Sequence, residues 1–157
     1  MIIVFGVVVL IGGLVLKAKY MFNPITFKQD EITRYEWHAY EYPAQIEYLT
    51  YEDDKGWTKK SILKDKNEIL YIFGQMKKNQ EIVSSQSDFF DIRKDMGKEK
   101  LVIIRHLESE ENGEGPILFQ FHYYENGHAA DIEDREKFIP ISDELKERLR
   151  KRTNAIS

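Results

Sequence analysis

The chain opens MIIVFGVVVLIGGLVL, and residues 1–16 carry no charged side chain. No other feature limits so strongly what this chain can fold into. Sixteen helical residues rise about 24 Å, short of the roughly 30 Å hydrocarbon core of a bilayer. Continuing the helix to Phe22 lengthens it to about 33 Å. Lys17 and Lys19 can then reach the headgroups along their stems, and Tyr20 and Phe22 suit the interface. Pro24 discourages further helix, and Asn23 before it is biased away from the helical region.

A buried core strand or helix is the competing reading of this run. The mean hydropathy of the chain is −0.51, and a polar, short remainder is not expected to swallow so long an apolar stretch. A cleaved signal peptide fits less well. No charged region precedes the run, and Ala18, the nearest small residue after it, has Leu16 two positions earlier. The expected organisation is therefore a transmembrane anchor over residues 1–22, held in the lipid bilayer. A juxtamembrane linker follows over 23–31, then a single soluble domain over 32–157.

The soluble part has roughly 135 residues, enough to bury about two thirds of its unfolded surface and fold alone. A 42% hydrophobic and 13% aromatic composition excludes wholesale disorder. Lys and Arg number 23 against 27 Asp and Glu, a net charge of −4, so no nucleic-acid partner is implied. The absence of cysteine removes disulfides, thiol nucleophiles, thiolate metal sites and lipid attachment through sulfur.

Alternation predicts strands over 32–42, 45–51 and 57–63, with a hairpin loop over 52–56. In the first, Tyr35, Trp37 and Ala39 would share a face. Asp65 then reads as the N-cap of a helix, with Glu68 at the capping-box position. Ile69, Ile72, Phe73 and Met76 mark its apolar face, Lys77 and Lys78 suit its C-terminal dipole, and Asn79 reads as its stop. A strand over 89–94 is expected to pair with one over 100–108. The clearest strand is 117–125, where Ile117, Phe119, Phe121 and Tyr123 alternate. Asn126-Gly127 is a strong hairpin signal, and it sets a register with His122 opposite Asp131 and Tyr123 opposite Ala130. Ser142 caps a charged helix to about Arg152, laced by Glu144–Arg148 and Glu147–Lys151 pairs. The expected class is α+β: an N-terminal transmembrane helix, then a mainly antiparallel sheet with one or two helices on one face.

Four constellations could carry function. His122 and Asp131 could make a general base held by a carboxylate, but the register brings no serine or threonine nucleophile to them, and an ordinary cross-strand polar pair is the simpler reading. His128 and Glu125 fall on the opposite face from that pair, so no metal site is expected. The aromatic cluster Tyr35, Trp37, Tyr40 and Tyr48 could recognise a peptide or glycan, against the simpler reading of core packing. The basic end Arg148, Arg150, Lys151 and Arg152 could meet an anionic surface or merely complement the helix dipole. The acidic loop over 108–114 lacks the alternation of a calcium loop. No phosphate-binding glycine loop, nucleophile elbow or zinc-protease motif occurs, and no cofactor is expected.

The opening IIVFGVVVLIGGLVLK, with strands flanking a helix that starts DKNEIL, resembles small single-pass membrane-anchored α+β proteins of Gram-positive bacteria, usually of unassigned function. The resemblance implies an extracytoplasmic domain at the cell envelope. Lys17 and Lys19, counted by the positive-inside rule, point instead to the cytoplasmic side. The expected function is a non-enzymatic binding or interaction domain with an envelope protein, peptide or glycan as partner. The alternatives are an immunity or inhibitor protein acting on a toxin or hydrolase at the membrane, and a hydrolase using His122 and Asp131.

Overall fold

Two alternating stretches, AQIEYLTYE and GWTKKSIL, form the first hairpin of the computed structural model. The structure describes residues 12–78, 98–107, 115–125, 127, 129–132 and 137–154. Strand β1 (Ala44–Glu52) pairs antiparallel with β2 (Gly56–Leu63). Lys55 N–H donates to the Glu52 carbonyl at 3.0 Å to close the turn. Gly56 leaves it at φ 70°, a left-handed value that costs glycine little. Helix α1 (Lys66–Lys78) follows, then β3 (Glu99–His106), β4 (Ile117–Tyr124), β5 (Ala129–Ile132), β6 (Lys137–Pro140) and helix α2 (Asp143–Asn154). The six strands form one antiparallel sheet in the order β2-β1-β3-β4-β5-β6. The molecule is thus α+β, as the sequence pattern implied.

Period-two alternation sorts the sheet into two faces. Ala44, Ile46 and Tyr48 of β1 lie with Val102 and Ile104 of β3 and Phe119, Phe121 and Tyr123 of β4. Both helices pack on this face. Ile69, Ile72, Phe73 and Met76 of α1 are fully buried there, as are Leu145 and Leu149 of α2. The helix starts are capped as expected. Asp65 Oδ1 accepts from the amides of Asn67 at 2.7 Å and Glu68 at 3.2 Å, and Ser142 Oγ accepts from Leu145 N–H at 3.2 Å.

The expected strand over 32–42 does not form. Its place is taken by irregular chain and a short 3₁₀ turn, Trp37–Ala39. Local hydrogen bonds win over the sheet here. Asp30 Oδ1 accepts from Ile32 N–H at 3.0 Å, Thr33 N–H at 2.8 Å and the Thr33 hydroxyl at 3.0 Å, while the Tyr40 hydroxyl accepts from Tyr35 N–H at 3.2 Å. Ile32 and Thr33 are both buried although adjacent, so this stretch does not divide into one buried and one exposed face as the alternation implied. Lys77 ties this loop to the end of α1, reaching Asp30 Oδ2 at 2.7 Å and Thr33 Oγ1 at 2.6 Å.

Residues 23–31, expected as a linker, are folded onto the domain. Phe22 and Phe27 pack against Tyr40, and Phe22 also meets Phe73 edge-on at 5.4 Å. The expected strand over 89–94 lies outside the described residues, and both edges of β3 are taken by β1 and β4. Strand β6 was not legible, being only KFIP. The expected Glu144–Arg148 pair is replaced by longer-range contacts: Glu144 accepts from the Tyr71 hydroxyl at 2.9 Å, and Arg148 turns to Glu68. Residues 12–19 are helical and exposed. Among the described residues no helix is long and apolar enough to cross a membrane; residues 1–11 lie outside them.

Candidate functional site

The sheet face that bears neither α1 nor α2 is built from the other half of each alternation. Leu49, Leu101 and Ile103 form a small buried cluster at its middle. On one side of the cluster lies Glu47, fully buried on β1. It accepts from Gln45 Nε2 at 2.6 Å, and Lys59 Nζ and Arg105 Nε stand 3.2 Å and 3.4 Å from its oxygens. On the other side runs a row of rings. Tyr51 faces Trp57 in the β1–β2 register, and the two rings meet edge-to-face at 5.5 Å. Trp57 in turn meets His122 at 5.6 Å. Tyr51 is 42% exposed and Trp57 36%. His122 Nδ1 lies 3.0 Å from Glu99 Oε1 on β3, within ion-pair distance but outside hydrogen-bond geometry.

This arrangement offers ring faces, an imidazole and a carboxylate on a rigid, strand-borne surface. Aromatic rings present large contact area at low entropic cost, which suits recognition. The β4–β5 register does set His122 opposite Asp131, as the hairpin signal predicted. Glu99 was not singled out from the sequence. Only the β3–β4 register, with Leu101 opposite His122 and Glu99 opposite Tyr124, brings it alongside.

The four aromatic residues singled out from the sequence do not share a surface. Tyr40 and Tyr48 are fully buried in the core, Tyr35 is exposed, and Trp37 is half-buried with its ring 4.8 Å from Tyr20. Burial pushes the Tyr40 hydroxyl up to about 12. Tyr48 instead donates its hydroxyl to Glu68 Oε1 at 2.9 Å.

Glu68 is the centre of a charged lock on the helix-covered face. Only 2% of it is exposed. Arg148 donates to it through Nε at 3.0 Å and again through Nη2, and Arg152 Nε lies 3.3 Å away. Burial by itself would raise the Glu68 carboxyl. Hydrogen bonds from Arg148, Tyr48 and Arg152 outweigh it and hold the group below the ordinary carboxylate range. Arg148 also stacks over the Tyr71 ring at 4.0 Å. Two of the four basic residues at the C-terminal end are therefore turned inward, while Arg150 and Lys151 pair with Glu147 on the helix surface. Lys100, nearly fully buried, donates to Thr153 Oγ1 at 3.0 Å and Asn154 Oδ1 at 3.2 Å, which fixes the end of α2 to β3.

The end of the apolar run is held by its own set of bonds. Met21 N–H donates to the Tyr40 carbonyl and Tyr42 N–H to the Lys19 carbonyl, each at 2.8 Å. Lys19 Nζ lies 3.0 Å from Glu41 Oε2, and Lys66 Nζ donates to the Lys17 carbonyl at 2.7 Å. Among the described residues no group of three or more His, Asp or Glu side chains could hold a metal ion. Comparison with protein-family models, with curated proteins and with solved structures finds no match for this chain.

Proposed function

We propose that this chain is a single-pass, membrane-anchored, non-enzymatic binding domain of the cell envelope, with its folded part on the extracytoplasmic side. The observation that carries this reading is the uncharged run over residues 1–16, whose last described turns leave the domain as an exposed apolar helix. Leu14, Val15 and Leu16 all stand open to solvent there, although a folded domain with a complete core lies beside them. Burial of apolar surface in lipid supplies the missing partner for those side chains. The recognition surface is the row Tyr51, Trp57 and His122 with Glu99.

A protein partner suits that row best, because tyrosine and tryptophan dominate the energetics of protein interfaces. This favours, as the second reading, an immunity or inhibitor protein meeting a toxin or hydrolase at the membrane. The test is fractionation of the full-length chain from cells. Recovery in alkaline-washed membranes, with release only by detergent, is expected, and added protease should remove the folded part from intact cells. Recovery in the soluble fraction without detergent would overturn the anchor. Cleavage only after lysis would put the domain on the cytoplasmic side.

A further inference from the structure

Where the apolar run meets the domain, a cleft of about 490 Å³ opens between the helical segment, the turn at residues 21–25 and the start of α1. Its walls are mainly apolar, with Leu16, Phe22, Ile25 and Leu70 among them, and Ile25 is 90% exposed. Lys17 and Lys66 also line it. The Lys66 ammonium sits 4.2 Å from the centre of the Tyr42 ring and bonds the Lys17 carbonyl. Neither lysine is paired with a carboxylate among the described residues, whereas Lys19 next to them is paired with Glu41. Two unneutralised cations at the mouth of an apolar cleft match an amphiphile that carries an anionic head and a hydrocarbon tail. The cleft also lies at the end of the apolar run, at the level where headgroups begin.

We infer that this cleft binds an anionic phospholipid of the surrounding membrane, its phosphate between Lys17 and Lys66 and an acyl chain along Leu16 and Ile25. The inference rests on the anchor reading above. Burial and the neighbouring Lys17 charge press the Lys66 ammonium below the usual lysine range, and a bound phosphate would relieve both. A lipid held there would seat the domain upright on the bilayer, because residues 20–42 join the helix end to the core without a free linker.

The chain has two tryptophans, Trp37 and Trp57. The W57F variant therefore leaves Trp37, whose ring touches Tyr20 on the cleft wall, as the only indole. Full-length W57F is reconstituted into phosphatidylcholine vesicles containing a minor fraction of phosphatidylglycerol, with bromine on the chains of one lipid or of the other at equal mole fraction. Brominated phosphatidylglycerol should quench Trp37 more, reporting local enrichment of about fivefold or greater. K17Q/K66Q should abolish the preference, and K78Q, at the far end of α1, should keep it. K17Q alone preserves the carbonyl that Lys66 binds, so it reads the same site should K66Q loosen the junction. Equal quenching by both lipids in a chain that floats with the vesicles overturns the lipid site and leaves the anchor standing. Retention of the preference in a folded, floating K17Q/K66Q variant overturns it as well. A chain that does not float overturns the anchor, and the lipid site falls with it.

Discussion

The two faces of the sheet each bury a glutamate, and they use it differently. Glu68, against the helix-covered face, draws donors from β1 and from two turns of α2, at separations of 20, 80 and 84 residues along the chain. Glu47, on the other face, draws on Gln45 of its own strand and on the adjacent strands β2 and β3. The first carboxylate binds distant parts of the fold together. The second neutralises lysine and arginine at the margin of a small apolar cluster, and the rings beyond that cluster stay accessible. One face is closed over by both helices, while the other keeps Tyr51 and Trp57 partly open to solvent.

Emptying each face in turn gives the harshest test of that contrast. Phe73 sits among Phe22, Tyr40 and Phe119, with ring centroids between 5.4 and 5.8 Å. F73A should cost about 3–5 kcal/mol of unfolding free energy, since the cavity opens where helix, sheet and the 20–42 segment meet. L49A removes a buried side chain from a three-residue cluster and should cost about 2 kcal/mol, the low end for such truncations. Urea unfolding of the full chain in detergent checks both. Equal losses would mean that the second face carries as much of the fold as the first.

The carboxylates sharpen the comparison further. E68Q keeps the shape and the Tyr48 contact but removes the counter-charge of two arginines. The side chains of Arg148 and Arg152 are 38% and 40% exposed, so water recovers part of the loss. A cost of about 2–3 kcal/mol follows from the values for charged hydrogen bonds and broken buried pairs. E47Q gives up one charge against two ion pairs longer than 3 Å and should cost about 1–2 kcal/mol.

The pH dependence carries the same sign as the geometry. Glu68 has its folded-state pKa depressed, so its stabilisation is fully present above the unfolded value, near 4.5, and is lost as pH falls through the folded value. The unfolded chain binds more protons in that window, so stability drops on acidification. Wild type should lose stability more steeply than E68Q below about pH 4.5. Parallel acid titrations of the two, followed by circular dichroism, would show it. Superimposable curves would mean that Glu68 does not drive acid unfolding.

Much of this architecture could be read from residue order because its causes are local. Asp65 and Ser142 cap helices through amides two or three residues away, and β4 and β5 pair in the His122–Asp131 register that the Asn126-Gly127 signal in the sequence predicts. The failures lie where local pattern and distant partner disagree. Residues 32–42 alternate as a strand should, yet Asp30 captures their first amides and Tyr40 is drawn into the aromatic core. Glu68 fits a capping box by spacing, but its side chain is claimed by Arg148 and Arg152 from the far end of the sequence. The row of rings was legible only in part for the same reason: His122 stands out in the sequence, Trp57 and Glu99 do not. Tyr51, Trp57, Glu99 and His122 come from four strands, and only the sheet order makes them neighbours.

The smallest expected change in stability is the one that tests the second face most directly. Trp57 is more than a third exposed, and its ring meets Tyr51 and His122 beside the apolar cluster. W57A should therefore lower stability by about 1 kcal/mol or less, the edge-to-face contacts being its main loss. If the row recognises a partner, the same substitution should remove a cross-linked species that wild type forms in its native membrane, since aromatic truncation at an interface commonly costs more than 2 kcal/mol of binding. T58A, one position along β2 with its side chain on the other face of the strand, should leave that species intact. A large loss of stability in W57A, with cross-linking otherwise unchanged, would assign the ring row to the core and cancel the division of labour between the faces.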